Sequence, residues 1–251
     1  MEAFDKLVTL METLRSDKGC PWDRKQKISA FKTFMLEEVY EIIEAIEKED
    51  FPDLKEELGD LLFHIVFIAQ ICKERNAFDI EEIVENVYLK MYNRHPHVFQ
   101  KKDLGGPIEE KWEELKRQEK KDDYSLLSHI PPSMPALLRA FVITKRAAKV
   151  GFDWQRIEDV YQKMEEEIAE LKDARDIGDV NRVREEIGDL LFTIVNIARF
   201  LAVDPEDALR ATSDKFVKRF SYIEHNTDIR SASLETMDML WNEAKEKDRE
   251  V

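Results

Sequence analysis

The sequence predicts an all-α protein made of two tandem copies of one helical bundle, with antiparallel helices. Three observations predict it. Apolar residues recur at helical spacing through most of the 251 residues. Only 7 Gly and 8 Pro are present, too few for the frequent turns of a sandwich or barrel. Finally, Glu56-Glu57-Leu58-Gly59-Asp60-Leu61-Leu62-Phe63 returns as Glu185-Glu186-Ile187-Gly188-Asp189-Leu190-Leu191-Phe192, 129 positions later. Across 56–69, 11 of 14 positions are identical in the second copy. Leu36-Glu37-Glu38-Val39-Tyr40-Glu41 matches Glu165-Glu166-Glu167-Ile168-Ala169-Glu170, and Trp112 matches Trp241, at the same offset. Three anchors in one register mark a domain-sized duplication and exclude a short-period solenoid.

In the first copy, Phe31, Phe34, Val39, Ile42, Ile43 and Ile46 form one apolar stripe. After a break at Asp50-Phe51-Pro52, Leu54, Leu58, Leu61, Leu62, Ile65 and Ile68 form the next. In the second copy, Val160, Met164, Ile168 and Leu171 lead to a loop at Ile177-Gly178-Asp179, and Val183, Ile187, Leu190, Ile194 and Val195 continue. Helices joined by so short a turn are expected to pack antiparallel. The Pro-bearing stretch 124–135 reads as a linker between domains at 1–123 and 136–251, and 136–149 as a helix opening the second half.

Composition excludes several classes of function. With 39 basic and 54 acidic side chains the formal charge is −15, and such a field repels a nucleic-acid polymer. No Gly-Lys-Ser/Thr loop occurs, so phosphate binding by that route is out. Two cysteines, Cys20 and Cys72, make no disulfide framework. The start Met1-Glu2-Ala3-Phe4-Asp5 lacks a signal-peptide pattern, and the longest apolar run, Leu61 to Ala69, is too short to span a membrane. A cytoplasmic protein is expected.

The acids carry the chemistry. On a helix, residues three or four apart share a face, roughly 40–60° from one another. Glu38 with Glu41, and Glu57 with Asp60, therefore converge if their helices pair; Glu167, Glu170, Glu186 and Asp189 repeat the set beside Glu166. Acidic runs are usually solvated faces. These instead sit inside apolar stripes and survive duplication at fixed spacing. Clustered carboxylates resist ionisation unless a cation compensates them. Hard oxygen donors without His or Cys favour Mg²⁺, or Mn²⁺, over zinc, and a di-iron bundle would need Glu-x-x-His pairs that are missing here. Magnesium on carboxylates commonly shares its shell with substrate phosphates. Lys215 with Arg219, and Lys90 with Arg94 after a four-residue gap in the repeat, could meet those phosphates; Trp241 could stack on a base. His64, on an apolar face, reads as a satisfied core residue, and His95 and His97 are separated by Pro96.

The doubled pattern Glu-Glu-x-x-Glu, spacer, Glu-x-x-Asp resembles the MazG family of nucleoside triphosphate pyrophosphohydrolases, in the all-α pyrophosphohydrolase group. Cys20-Pro21-Trp22-Asp23, Arg94-His95-Pro96-His97-Val98-Phe99 and Gly151-Phe152-Asp153-Trp154 extend the resemblance over essentially the whole chain. Lys27-Ile28-Ser29 departs from it where Thr-His-x is expected after Gln26. The resemblance implies Mg²⁺-dependent cleavage of nucleoside triphosphates between the α and β phosphates, loose base specificity and a homodimer. It also implies a role in clearing aberrant nucleotides or lowering alarmones. Carried over residue by residue, it gives the metal ions to Glu167, Glu170, Glu186 and Asp189, and the attacking water to Glu166 or Glu167. Lys215 and Arg219 would steady the phosphates, with Trp241 near the base.

Activity is expected in the second half. There Glu186, Asp189, Thr193 and Asn196 form one polar stripe, and Asn196 could donate to a phosphate or sugar; the first copy reads Glu57, Asp60, His64, Phe67 instead. A non-enzymatic acidic adaptor for a basic partner is the rival class.

Overall fold

A computed structural model describes residues 2–101, 106, 125–128 and 130–249. The Trp112 anchor of the repeat and positions 124 and 129 of the expected linker lie outside these residues. Every described secondary-structure element is helical. The chain divides into two compact units, residues 1–120 and 121–251. Among the described residues, no helix is long and apolar enough to cross a membrane.

In the first unit the helices are α1 (Glu2–Arg15), α2 (Pro21–Lys25), α3 (Phe31–Glu47), α4 (Phe51–Glu74), α5 (Ile80–Arg94) and α6 (Pro96–Phe99). Pro52, read from sequence as part of a break, instead lies in the first turn of α4. The missing N–H of proline costs nothing there, and Asp50 caps the helix by accepting from the Asp53 N–H. α3 and α4 form the principal pair, with α1 laid against α4. Met11, Phe31, Val66, Phe67 and Ile71 form the sealed core. One buried cation closes it: Arg15 Nε and Nη2 grip the Glu74 carboxylate at 2.7 and 2.6 Å. Its Nη1 donates to the Asp23 carbonyl at 2.6 Å. The turn after α1 requires Gly19, because a Cβ there would stand 2.2 Å from the Leu14 carbonyl oxygen.

The second unit holds α7 (Ala136–Ala148), α8 (Ile157–Ile177), α9 (Val180–Phe200), α10 (Pro205–Asn226) and α11 (Leu234–Lys247). α8 and α9 are its principal pair; α7 covers α9, and α10 packs on α11. The joint between α8 and α9 is two residues long. Gly178 closes α8 in the left-handed region at φ 78°, and Asp179 caps α9 through the Asn181 and Arg182 N–H groups. At the corresponding place in the first unit, 129 positions earlier, Glu49 adopts φ 52°. The same backbone bend is thus made once by glycine and once by a residue whose Cβ opposes it.

That difference is measurable. Gly178→Ala should destabilise the second unit by about 1 kcal/mol and Glu49→Gly should stabilise the first by a smaller amount, since only glycine adopts the left-handed bend without strain. Urea unfolding of the two variants checks both signs.

Candidate metal centre

Because α3 and α4 run antiparallel, residues on either side of their joint meet in pairs whose numbers sum to a near-constant. Glu41 meets Glu57, and further from the joint Glu38 Oε1 lies 3.1 Å from His64 Nε2. Glu38, Glu41 and Glu57 bring one carboxylate oxygen each within 4.8 Å of one another. α8 and α9 repeat the construction with Glu167, Glu186 and Asp189, again within 4.8 Å. In the second triad both glutamates are buried and Asp189 is exposed, whereas the first triad is half-buried to exposed. Asp60 is exposed and stands outside the first triad; Glu170 is half-buried and stands outside the second. The charge of Glu170 is nevertheless felt at Glu186.

Each cluster is held against its own repulsion. Burial, the charge of Glu41 and a hydrogen-bonding contact with Glu38 push the Glu57 carboxyl up to about 7. Burial likewise raises Glu186, helped by the negative charges of Glu170, Glu167 and Asp189 and opposed by Arg182. Two local cations or donors relieve the strain. In the second unit Lys163 Nζ bridges Glu166 at 2.7 Å and Glu167 at 2.8 Å, and both bonds hold its ammonium protonated. In the first unit the equivalent position is Phe34, and His64 supplies the contact to Glu38 instead. His64 sits among Phe31, Phe34 and Phe63, and its buried Nδ1 has no hydrogen-bond partner among the described residues. The core-histidine expectation is therefore met on one ring nitrogen only.

The remaining sequence candidates lie elsewhere. Asn196 is 1% exposed; its Nδ2 donates to the Phe192 carbonyl and its Oδ1 accepts from Arg199. Its oxygen and one of its two N–H groups are thus engaged inside its own helix. Lys215 is exposed on α10. Arg219, one turn on, is paired with Asp248 at 2.9 Å and lies 5.7 Å from the centre of the Trp241 ring. Trp241 also packs on Phe216. Lys90 is exposed and Arg94 half-buried in the last turns of α5. His95 Nδ1 is bonded to the Met91 carbonyl, and Pro96 opens the short α6. Sequence reasoning passed over Lys163 and Asp248. Lys163 had a signal: it stands three and four residues before Glu166 and Glu167, the spacing of a helical ion pair. Asp248 had none.

Chemically, the second triad offers hard oxygen donors only, brought close enough to share one ion, with two of them already desolvated. Such a set fits Mg²⁺ or Mn²⁺. A divalent cation would remove the repulsion that raises Glu186.

Comparison with known proteins places both helix pairs within one family. The model of the MazG nucleotide pyrophosphohydrolase domain matches residues 26–99 and 155–223, stretches that each enclose one acidic set. The chain is 46% identical over 248 residues to the nucleoside triphosphate pyrophosphohydrolase/pyrophosphatase MazG of Thermotoga maritima, covering 96% of this chain and 95% of that one. It is 41% identical over 260 residues to the nucleoside triphosphate pyrophosphohydrolase of Escherichia coli K12, covering 99% of both. A protein of the same name from Mycobacterium tuberculosis is 28% identical over 201 residues, 78% of this chain and 58% of its own.

The raised Glu57 carboxyl sets a pH dependence. When folded it keeps its proton to about pH 7, against an ordinary value of 4.5. Between those values the folded chain binds more protons than the unfolded one, so this group's contribution to stability falls as pH rises, and it levels off above 7. In chelator, Glu57→Gln should match the parent near pH 4.5 and unfold at a higher temperature from pH 7 upward. Thermal melts across that range check the trend, and saturating Mg²⁺ should erase it.

Proposed function

The chain belongs to the MazG nucleotide pyrophosphohydrolase family, and from that premise we propose that it is a Mg²⁺-dependent hydrolase of nucleoside triphosphates. It cuts the α–β anhydride and releases a nucleoside monophosphate and pyrophosphate. The observation that carries this reading is the second acidic triad: Glu167 and Glu186, both buried, with exposed Asp189, their oxygens within 4.8 Å. Repulsive carboxylates held together in a half-dry site make chemical sense as ligands waiting for a divalent cation.

Glu167, Glu186 and Asp189 would hold the metal, with the charge of Glu170 felt beside them. Bound magnesium supplies charge neutralisation at the phosphates and a water made more acidic. The chain does the rest. Glu166 or Glu167 would orient the attacking water and accept its proton, while the water oxygen bonds to the α phosphorus and the bridging oxygen departs with pyrophosphate. Lys163 pairs with these two glutamates and offers its charge to the phosphates once they bind. Lys215 and Arg219 provide further positive charge from α10, and Trp241 offers a ring to the base. In the first unit the aromatic surroundings of His64 replace the lysine, so the second unit is the working half.

Exposed Ile187, Leu191 and Ile194 on α9 leave an apolar face beside the site. It supports a homodimer in which a second copy covers that face. The cytoplasm is the compartment proposed for this chemistry.

Asp189→Asn should lower pyrophosphate release from ATP by on the order of 100-fold, the scale of losing a group that stabilises developing charge. Asp60→Asn should change it by less than about twofold, because it stands outside either triad. Release of orthophosphate as the first product would rule out the proposed cleavage. Millimolar Mg²⁺ should raise the melting temperature, a gain that an acidic adaptor without a metal site would not display.

A further inference from the structure

We propose that Asp248 is the positioning residue for Arg219, holding its guanidinium side-on so that the terminal nitrogens face the substrate phosphates. The inference rests on the reading of Arg219 as a phosphate-binding residue. Asp248 caps the C-terminal end of α11, and its side chain is only 17% exposed. Both carboxylate oxygens are used. Oδ2 accepts from Arg219 Nε at 2.9 Å, and Oδ1 meets Lys218 Nζ at 2.7 Å. The two cations hold the acid below its ordinary range, so it stays charged.

The contact through Nε matters. A guanidinium offers two bidentate edges, and with Nε bonded to Asp248 the terminal pair is the edge left for phosphate. Among the described residues, those terminal nitrogens make no hydrogen bond. The plane is fixed from a second direction by Trp241, whose ring centre lies 5.7 Å from the guanidinium carbon and which is itself braced by Phe216 at 5.1 Å. A cleft of about 360 Å³ opens beside them, lined by Lys218, Arg219, Tyr222, Lys247 and Asp248. A guanidinium restrained on its side and one face, and lining a cleft, is prepared for a second anion.

Steady-state kinetics of the full chain with Mg²⁺ and ATP test this. Asp248→Asn keeps the shape and removes the charge. It should raise KM about tenfold while kcat changes less than about twofold, the pattern of lost uniform binding. Asp248→Glu should recover most of the affinity. In an Arg219→Ala background, Asp248→Asn should add nothing further. An Asp248→Asn protein with unchanged KM, beside an Arg219→Ala protein with raised KM, overturns the inference and spares the phosphate role of Arg219. So does an effect of Asp248→Asn that persists without Arg219, or a loss confined to kcat with lowered thermal stability. If Arg219→Ala itself leaves KM unchanged, the phosphate role of Arg219 fails and the inference with it, while the metal centre stands.

Discussion

Mutual repulsion among carboxylates on facing helices is the constraint around which each unit is arranged. Bringing three acidic oxygens within 4.8 Å raises the energy of the charged state, and burial of Glu167 and Glu186 raises it further. A fold that keeps such a cluster must anchor the two helices by other means. Here the anchors are the sealed core under α1, α3 and α4 and, in the second unit, the apolar contacts around Val160 and Val195. The acids are held together by a frame that does not need them.

The two copies solve the residual charge problem differently. Lys163 compensates Glu167 directly. In the first unit the place of Lys163 is taken by Phe34, and that of Thr193 by His64, which reaches Glu38 across the helix pair. Full positive charge next to one cluster and an aromatic surround next to the other make the surroundings of the two triads chemically unlike, though their acids coincide in sequence. A duplicated scaffold has kept the acids in sequence but gathers a different three of the four in each unit and has changed what lies beside them.

Much of this was readable from residue order. The all-helical duplication and the convergence of Glu38, Glu41 and Glu57 follow from period and from equal spacer lengths. Spacing could not decide that Glu41 joins the first triad while Asp189 joins the second, since this turns on helix rotation and on one methylene of reach. Nor could it show that Pro52 opens a helix, because proline marks a start and a break with the same letter. The partner of Arg219 was out of reach for another reason: α10 and α11 meet through tertiary packing, and nothing in the sequence near Asp248 points back to position 219. Asn196 was read as a possible donor to a phosphate or sugar from its stripe alone, and the structure shows one of its N–H groups bonded to the Phe192 carbonyl.

The short joints between paired helices carry an implication for how these units can diverge. α4 and α9 begin 129 positions apart, and so do Glu49 and Gly178, the bent residues before them. Adding one residue between Glu170 and Glu186 would swing every carboxylate upstream by about 100° around its axis relative to its opposite number. Such a hairpin tolerates exchange of letters, even glutamate for glycine at the bend, but not a change in their number. The two copies accordingly keep the count across this hairpin and differ in length only beyond it, where Lys90 and Lys215 stand 30 and 26 residues after Asp60 and Asp189.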